Sequence, residues 1–210
     1  MRRGAGPVQV EAAGDPATAL ADYASVPIAF QVRSVLDVAG SADGPGGFVL
    51  TERPLDTPYL KDYDAIPGEH PSGWPERFDV SRWGVFAARV EGRREGGAAV
   101  AFRTPGLDLL EGRDDVAVLW DVRVAPEARG RGVGAALFRA AEAWARARGC
   151  RRLLVETQNV NVPACRFYAR MGCVLAAVNR SAYPMLPGEI QLLWDKDLDR
   201  QNPGHQTRRP

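Results

Sequence analysis

The segment that most restricts the fold is Arg129-Gly130-Arg131-Gly132-Val133-Gly134, a glycine-rich turn between two stretches of opposite periodicity. Before it, Val116–Val124 places valines and Trp120 at every second position, the period of a β-strand. After it, Val133, Leu137, Ala140 and Trp144 recur at helical spacing, while Arg139, Glu142 and Arg146 fall on the opposite face. A helix is therefore predicted from Gly132 to Arg148, with Gly149 as its stop. Leu153–Thr157 reads as a further buried strand, Pro163 opens a second helix that Ala164–Met171 continues and Gly172 ends, and a last strand covers roughly Glu189–Trp194.

Upstream, Ile28–Val38 and Phe48–Glu52 are strand-like, and Pro54 to Pro75 carries five prolines in 22 residues, the composition of a functional loop or lid. Trp83–Glu91 and Ala98–Arg103 flank Gly92-Arg93-Arg94-Glu95-Gly96-Gly97, which argues for an antiparallel hairpin joined through those glycines. Hairpins together with strand–helix–strand order give a mixed α+β sheet. Residues 1 to about 25 lack sustained periodicity and 199–210 have no apolar residue beyond proline, so both are expected to be disordered tails around one domain over 26–198.

Composition removes whole classes of function. With 27 Lys+Arg against 26 Asp+Glu, the chain is neither an acidic solvating chain nor a generic polyanion binder, and nucleic acid is not an expected partner. No run approaches the roughly 20 apolar residues of a membrane span, and Met1-Arg2-Arg3 leads into Gly, Pro and acids rather than an apolar signal, so a cytoplasmic location without membrane association is expected. Cys150, Cys165 and Cys173 are odd in number, lack C-x-x-C spacing and have only His70 and His205 for company, so neither a metal site nor a disulfide framework is expected.

A glycine-rich turn between strand and helix converges backbone N–H groups and the positive end of the helix dipole on one spot, which suits an anion. Of two nucleotide readings, one fails and the other, which fits Gly130, Gly132 and Ala135, finds little support. The nucleoside-triphosphatase loop needs a lysine and Ser/Thr where Gly134-Ala135-Ala136 stand, and the dinucleotide fingerprint needs an acid where Cys150-Arg151-Arg152 stand.

Arg129, Gly132 and Gly134 after a strand instead resemble the acetyl-CoA signature of the GNAT superfamily of N-acetyltransferases, [Gln/Arg]-x-x-Gly-x-[Gly/Ala]. The block Glu156–Gly172, with Asn161 and Tyr168 at its functional positions, is similar to that superfamily's second motif. Its wording, with Lys61–Asp64 and Phe78–Gly84 upstream, resembles streptothricin acetyltransferases over about residues 48–198. Cys173 departs from the phenylalanine that usually follows this glycine, and the N-terminal 45 residues carry no part of the resemblance.

The resemblance implies a mostly antiparallel central sheet flanked by helices, with two strands splayed at an acetyl-CoA cleft. Pantetheine would bond to backbone of Val122 and Val124, and the diphosphate would sit on Arg129, Gly130, Arg131, Gly132, Val133 and Gly134, with Asn161 completing the cofactor set. Tyr168 is the expected proton donor to the departing thiolate, because a phenol of pKa near ~10 is protonated at neutral pH. An alkyl ammonium needs a proton acceptor, and Asp121 and Glu156 are both candidates.

Residues 51–80 hold seven acids against three bases, whereas 123–152 hold eight arginines against two acids. That split matches transfer from an anionic cofactor to a small cationic amine. Asp62 and Asp64 are expected to hold further ammonium groups of the acceptor, with Tyr63 and Trp74 walling its pocket by cation–π contact; Trp120 is read as core. Peptide or protein N-acetylation and non-catalytic acyl-CoA sensing are the alternatives, in a monomer or homodimer.

Overall fold

The computed structural model describes residues 6–40 and 47–199. A seven-stranded sheet runs in the order β1 (Val8–Ala12), β4 (Gly84–Val90), β5 (Arg93–Phe102), β6 (Val116–Val124), β7 (Arg152–Gln158), β9 (Gln191–Asp197) and β8 (Val174–Asn179). All neighbours are antiparallel except β6 and β7. A separate antiparallel ribbon joins β2 (Phe30–Gly40) to β3 (Phe48–Lys61). The helices are α1 (Pro16–Tyr23), α2 (Trp74–Arg77), α3 (Val133–Arg146) and α4 (Val162–Arg170).

Both faces of the sheet are covered, and the period of two sorts its residues between them. Ala98, Val100 and Phe102 of β5 join Ala117 and Leu119 of β6 under α3 and α4. The intervening Ala99, Ala101, Val116 and Val118 pack on the other face with Leu20 and Tyr23 of α1 and with Trp74 and Trp83. α3 buries Val133, Leu137, Phe138, Ala141 and Ala145, each large apolar side chain contributing about 1.5–3 kcal/mol.

The N-terminal tail expectation is overturned, since β1 pairs with β4 and adds an edge strand to the sheet. α1 follows, with Asp15 accepting from the Thr18 amide at 3.2 Å and Pro16 in its first turn. The domain therefore begins earlier than residue 26. At the other end Asp199 still pairs with Arg151, and the remainder of the expected C-terminal tail lies outside the described residues.

The β4–β5 hairpin has a two-residue turn, Glu91-Gly92, with φ of 51° and 79°, the left-handed pair that suits strand twist. Gly96 and Gly97 therefore lie inside β5 rather than in the connection. Their role is close approach: a Cβ at Gly96 would stand 2.8 Å from the Arg123 carbonyl oxygen, and one at Gly97 would stand 2.7 Å from the Tyr23 ring. β3 runs on through Pro54 and Pro58 because it pairs on one side only, and the register with β2 slips between Val32↔Tyr59 and Ser34↔Pro54.

Candidate active site

β6 and β7 pair in parallel only over Val116–Leu119 and Arg152–Val155, after which they part. Trp120 is the extra residue of a bulge against β5, where Ala99 faces Asp121 and Val100 faces Leu119. The bulge bends the strand out of the ladder at the point of separation. Between the parted ends lies a cavity of about 880 Å³.

The glycine-rich turn forms one wall. Gly132 caps α3 with φ of 87° and has no side chain to fill the cap, so the first-turn amides meet no side-chain acceptor. A Cβ at Gly130 or Gly132 would find no heavy atom within 4 Å, so the space above the turn is open. Arg129, Gly130, Gly132 and Gly134 line the cavity, as do Val122 and Val124. Arg131 and Val133 do not; the Val133 side chain is buried in the core, at 1% exposure. Arg129 donates from Nε to the Val124 carbonyl at 3.1 Å and from its terminal nitrogen to the Ala29 carbonyl at 3.0 Å, tying the turn to β6 and to the segment before β2.

Asn161 caps α4 by accepting from the Ala164 amide at 3.2 Å, and it lines the cavity. One helical face of α4 carries Val162, Cys165 and Tyr168 inward. Tyr168 packs among Phe138, Phe167 and Trp194 and also borders the cavity; burial raises its phenol well above the ordinary tyrosine value.

The carboxylates occupy different settings. Arg123, 1% exposed, directs Nε and Nη2 to Asp121 Oδ2 at 3.0 and 2.5 Å and grips both oxygens of Asp64. Burial raises the Asp121 carboxyl against the pull of Arg123. Asp64 therefore reaches the cavity already paired, and Asp62 lies outside the lining, with Oδ1 accepting from the Asp64 amide at 3.1 Å. The structure does not present these two aspartates as unpartnered anions for an acceptor. Glu156 borders the cavity, with Oε1 accepting from the Tyr183 hydroxyl at 2.6 Å.

Aromatic side chains complete the wall. Tyr63 lines the cavity, tilted against Phe30 and bonded through its hydroxyl to Gln158 Oε1 at 2.5 Å. Trp120 packs against the core and also faces the cavity, whereas Trp74 touches it from a buried position, 2% exposed, held by Trp83, Tyr23 and a bond from its indole to the Glu69 carbonyl at 3.0 Å. Arg123, Gln158 and Tyr183 were not legible as site residues, because their partners come from distant segments. Among the described residues, no cluster of three or more His, Cys, Asp or Glu could hold a metal ion, and no helix is long and apolar enough to cross a membrane.

Comparison with known proteins identifies the family and the fold. Residues 55–173 match the acetyltransferase (GNAT) family. The chain is 32% identical over 154 residues to a streptothricin acetyltransferase of Streptomyces lavendulae, covering 73% of this chain and 76% of that one. It is 30% identical over 156 residues to streptothricin acetyltransferase A of Bacillus subtilis, covering 71% and 79%. The crystal structure of nourseothricin acetyltransferase superposes with a TM-score of 0.66 at 27% identity, over 91% of this chain and 98% of that one. With its family motifs set on the two sides of a cleft between parted strands, the chain belongs to the GNAT family and is an acetyl-CoA-dependent acetyltransferase.

Proposed function

We propose that this chain acetylates a primary amine of a small cationic acceptor of the streptothricin type by direct transfer within a ternary complex. The observation that carries the reading is that a single cavity is bordered by the uncapped glycine turn, by Tyr168, by Glu156 and by the side chains of Tyr63 and Trp120. The relatives named streptothricin acetyltransferase support this choice of acceptor.

The chain's own residues fit the co-substrate. The open space above Gly130 and Gly132 and the uncapped start of α3 suit a diphosphate, with backbone amides as donors. When bound, acetyl-CoA supplies the acyl group and leaves as the thiol. Tyr168 holds the proton that the departing sulfur needs, and its raised phenol keeps that proton at neutral pH.

Glu156 addresses the acceptor. An alkyl ammonium with a pKa near ~10 is only about one part in a thousand neutral at pH 7, a deficit of ~4 kcal/mol. Glu156 draws that proton away, directly or through one water, and passes it to solvent. The acceptor nitrogen sheds two protons in all: one leaves by Glu156, and the other balances the one delivered by Tyr168. Asp121 is held by Arg123 and serves the wall rather than the proton path. The ring of Trp120 on the cavity wall suits the remaining positive charge of the acceptor, while Lys61 Nζ already stands 5.5 Å from the centre of the Tyr63 ring.

Thiol release from acetyl-CoA by the purified protein, with streptothricin, simple polyamines and short peptides as acceptors, tests this reading. Turnover is expected with streptothricin and not with peptides. Preference for a peptide amine would replace the acceptor, and acetyl-CoA binding without turnover on any amine would replace transfer by sensing.

A further inference from the structure

Tyr183 belongs to neither motif and sits in the connection between β8 and β9, yet it bridges two residues of β7. Its hydroxyl donates to Glu156 Oε1 at 2.6 Å and accepts from Gln158 Nε2 at 3.0 Å, while Gln158 Oε1 accepts from the Tyr63 hydroxyl at 2.5 Å. Glu156 and Gln158 are two apart on a strand and so share a face.

The direction of this chain follows from its last member. An ionised carboxylate only accepts, so Tyr183 must give its proton to Glu156 and has only lone pairs left for Gln158. Gln158 must then turn its amide nitrogen to Tyr183 and its oxygen to Tyr63, which donates in turn. Every donor from Tyr63 onward points toward Glu156, an arrangement in which each bond strengthens the next.

The loop that carries Tyr183 is fastened. Glu189 pairs with Lys61 of β3 at 2.5 Å, both side chains about nine-tenths buried, and the Ile190 amide donates to Asn159 Oδ1 at 2.8 Å. Asn159 in turn donates to the Leu36 carbonyl at 3.1 Å, joining the loop to β2. The phenol is held in place by its own chain before any acceptor arrives.

Resting on the reading above, we propose that Tyr183 is a positioning residue that fixes the Glu156 carboxylate toward the acceptor amine. It commits Oε1, restricts rotation of the carboxylate, and leaves Oε2 for the acceptor's proton. Tyr63 acts one link further away, through Gln158.

A double-mutant cycle decides this, because residues that act through one another are not additive. Wild type, Tyr183→Phe, Glu156→Gln and the double variant are compared for acetyl transfer to streptothricin, and their urea-unfolding midpoints are matched. Glu156→Gln is expected to lower kcat about 100-fold and Tyr183→Phe about 10-fold, with KM for acetyl-CoA within about twofold. On the Glu156→Gln background, Tyr183→Phe is expected to add less than about twofold. Losses that multiply, or full kcat in Tyr183→Phe, would overturn the proposal. Should Tyr183→Phe unfold, Tyr63→Phe takes its place in the cycle: a smaller kcat loss that vanishes on the Glu156→Gln background supports the proposal, and one that persists there sinks it. A wild-type protein that turns over no amine fails at the transfer reading itself and takes the positioning role with it. Turnover with additive losses removes only the positioning role.

Discussion

Arg123 holds Asp64 with both arms of its guanidinium, Nη1 to Oδ2 at 3.0 Å and Nη2 to Oδ1 at 3.1 Å, from a side chain 1% exposed. The same group reaches Asp121, donates to the Val26 carbonyl at 3.1 Å and lies 4.9 Å from the centre of the Tyr23 ring. One cation thus joins the end of α1, the loop after β3 and the bulged strand β6.

Removing that cation strands two carboxylates in a poorly hydrated place. Arg123→Met is expected to lower unfolding free energy by about 3–5 kcal/mol in urea titration. Arg123→Lys restores charge without the fork and is expected to recover only part of the loss. Unchanged stability in Arg123→Met would show that the cluster is hydrated and that the three segments are held otherwise.

Tyr168→Phe removes one oxygen from the cavity wall and leaves the ring packing with Phe138, Phe167 and Trp194. A fall in kcat of about 10²–10⁴-fold is expected, with the acetyl-CoA KM nearly unchanged. Because burial moves the phenol upward, the protonated form persists to higher pH than for an exposed tyrosine. Wild-type kcat should therefore hold through pH 9 in a pH–rate profile. An alkaline fall below pH 9 that disappears in Tyr168→Phe would contradict that ordering.

Gly97 is where α1 meets the sheet, so a methyl group there meets the Tyr23 ring at 2.7 Å and the Phe86 carbonyl oxygen at 3.0 Å. Gly97→Ala is expected to cost about 1–3 kcal/mol and to expose residues 13–25 to limited proteolysis. Gly92→Ala has open space but φ of 79°, so it is expected to cost about 1–2 kcal/mol in backbone strain without exposing α1. Equal proteolysis of the two variants would mean that α1 does not depend on the close approach at Gly97.

The three thiols are buried and free. Burial pushes Cys150 up to about 11 and Cys165 and Cys173 each up to about 12. At pH 8 the thiolate is then on the order of one part in a thousand or less. Iodoacetamide at that pH is expected to leave the folded protein unmodified by mass spectrometry and to alkylate all three sites once it is unfolded. Rapid labelling of Cys165 in the folded state would mean that α4 lifts from the core.

The amino-acid sequence by itself determined the strand–turn–helix unit around Gly132 and the start of α4. There the period of two, the helical period and the stops at Gly149 and Gly172 are local signals that backbone geometry enforces. It also offered Tyr168 and Glu156 as candidates from one contiguous motif, and both border the cavity. β1 and α1 were not legible: their inward residues are few, and their stability comes from β4 and from the gap above Gly97. The pairing of Asp64 with Arg123 spans 59 positions, and the bond from Tyr183 to Glu156 spans 27. Only the tertiary structure decided these, since a charge or hydroxyl finds its partner by what folding brings beside it. That is why aspartates that read as acceptor ligands stand paired or outside the cavity, and why a tyrosine outside both motifs borders that cavity.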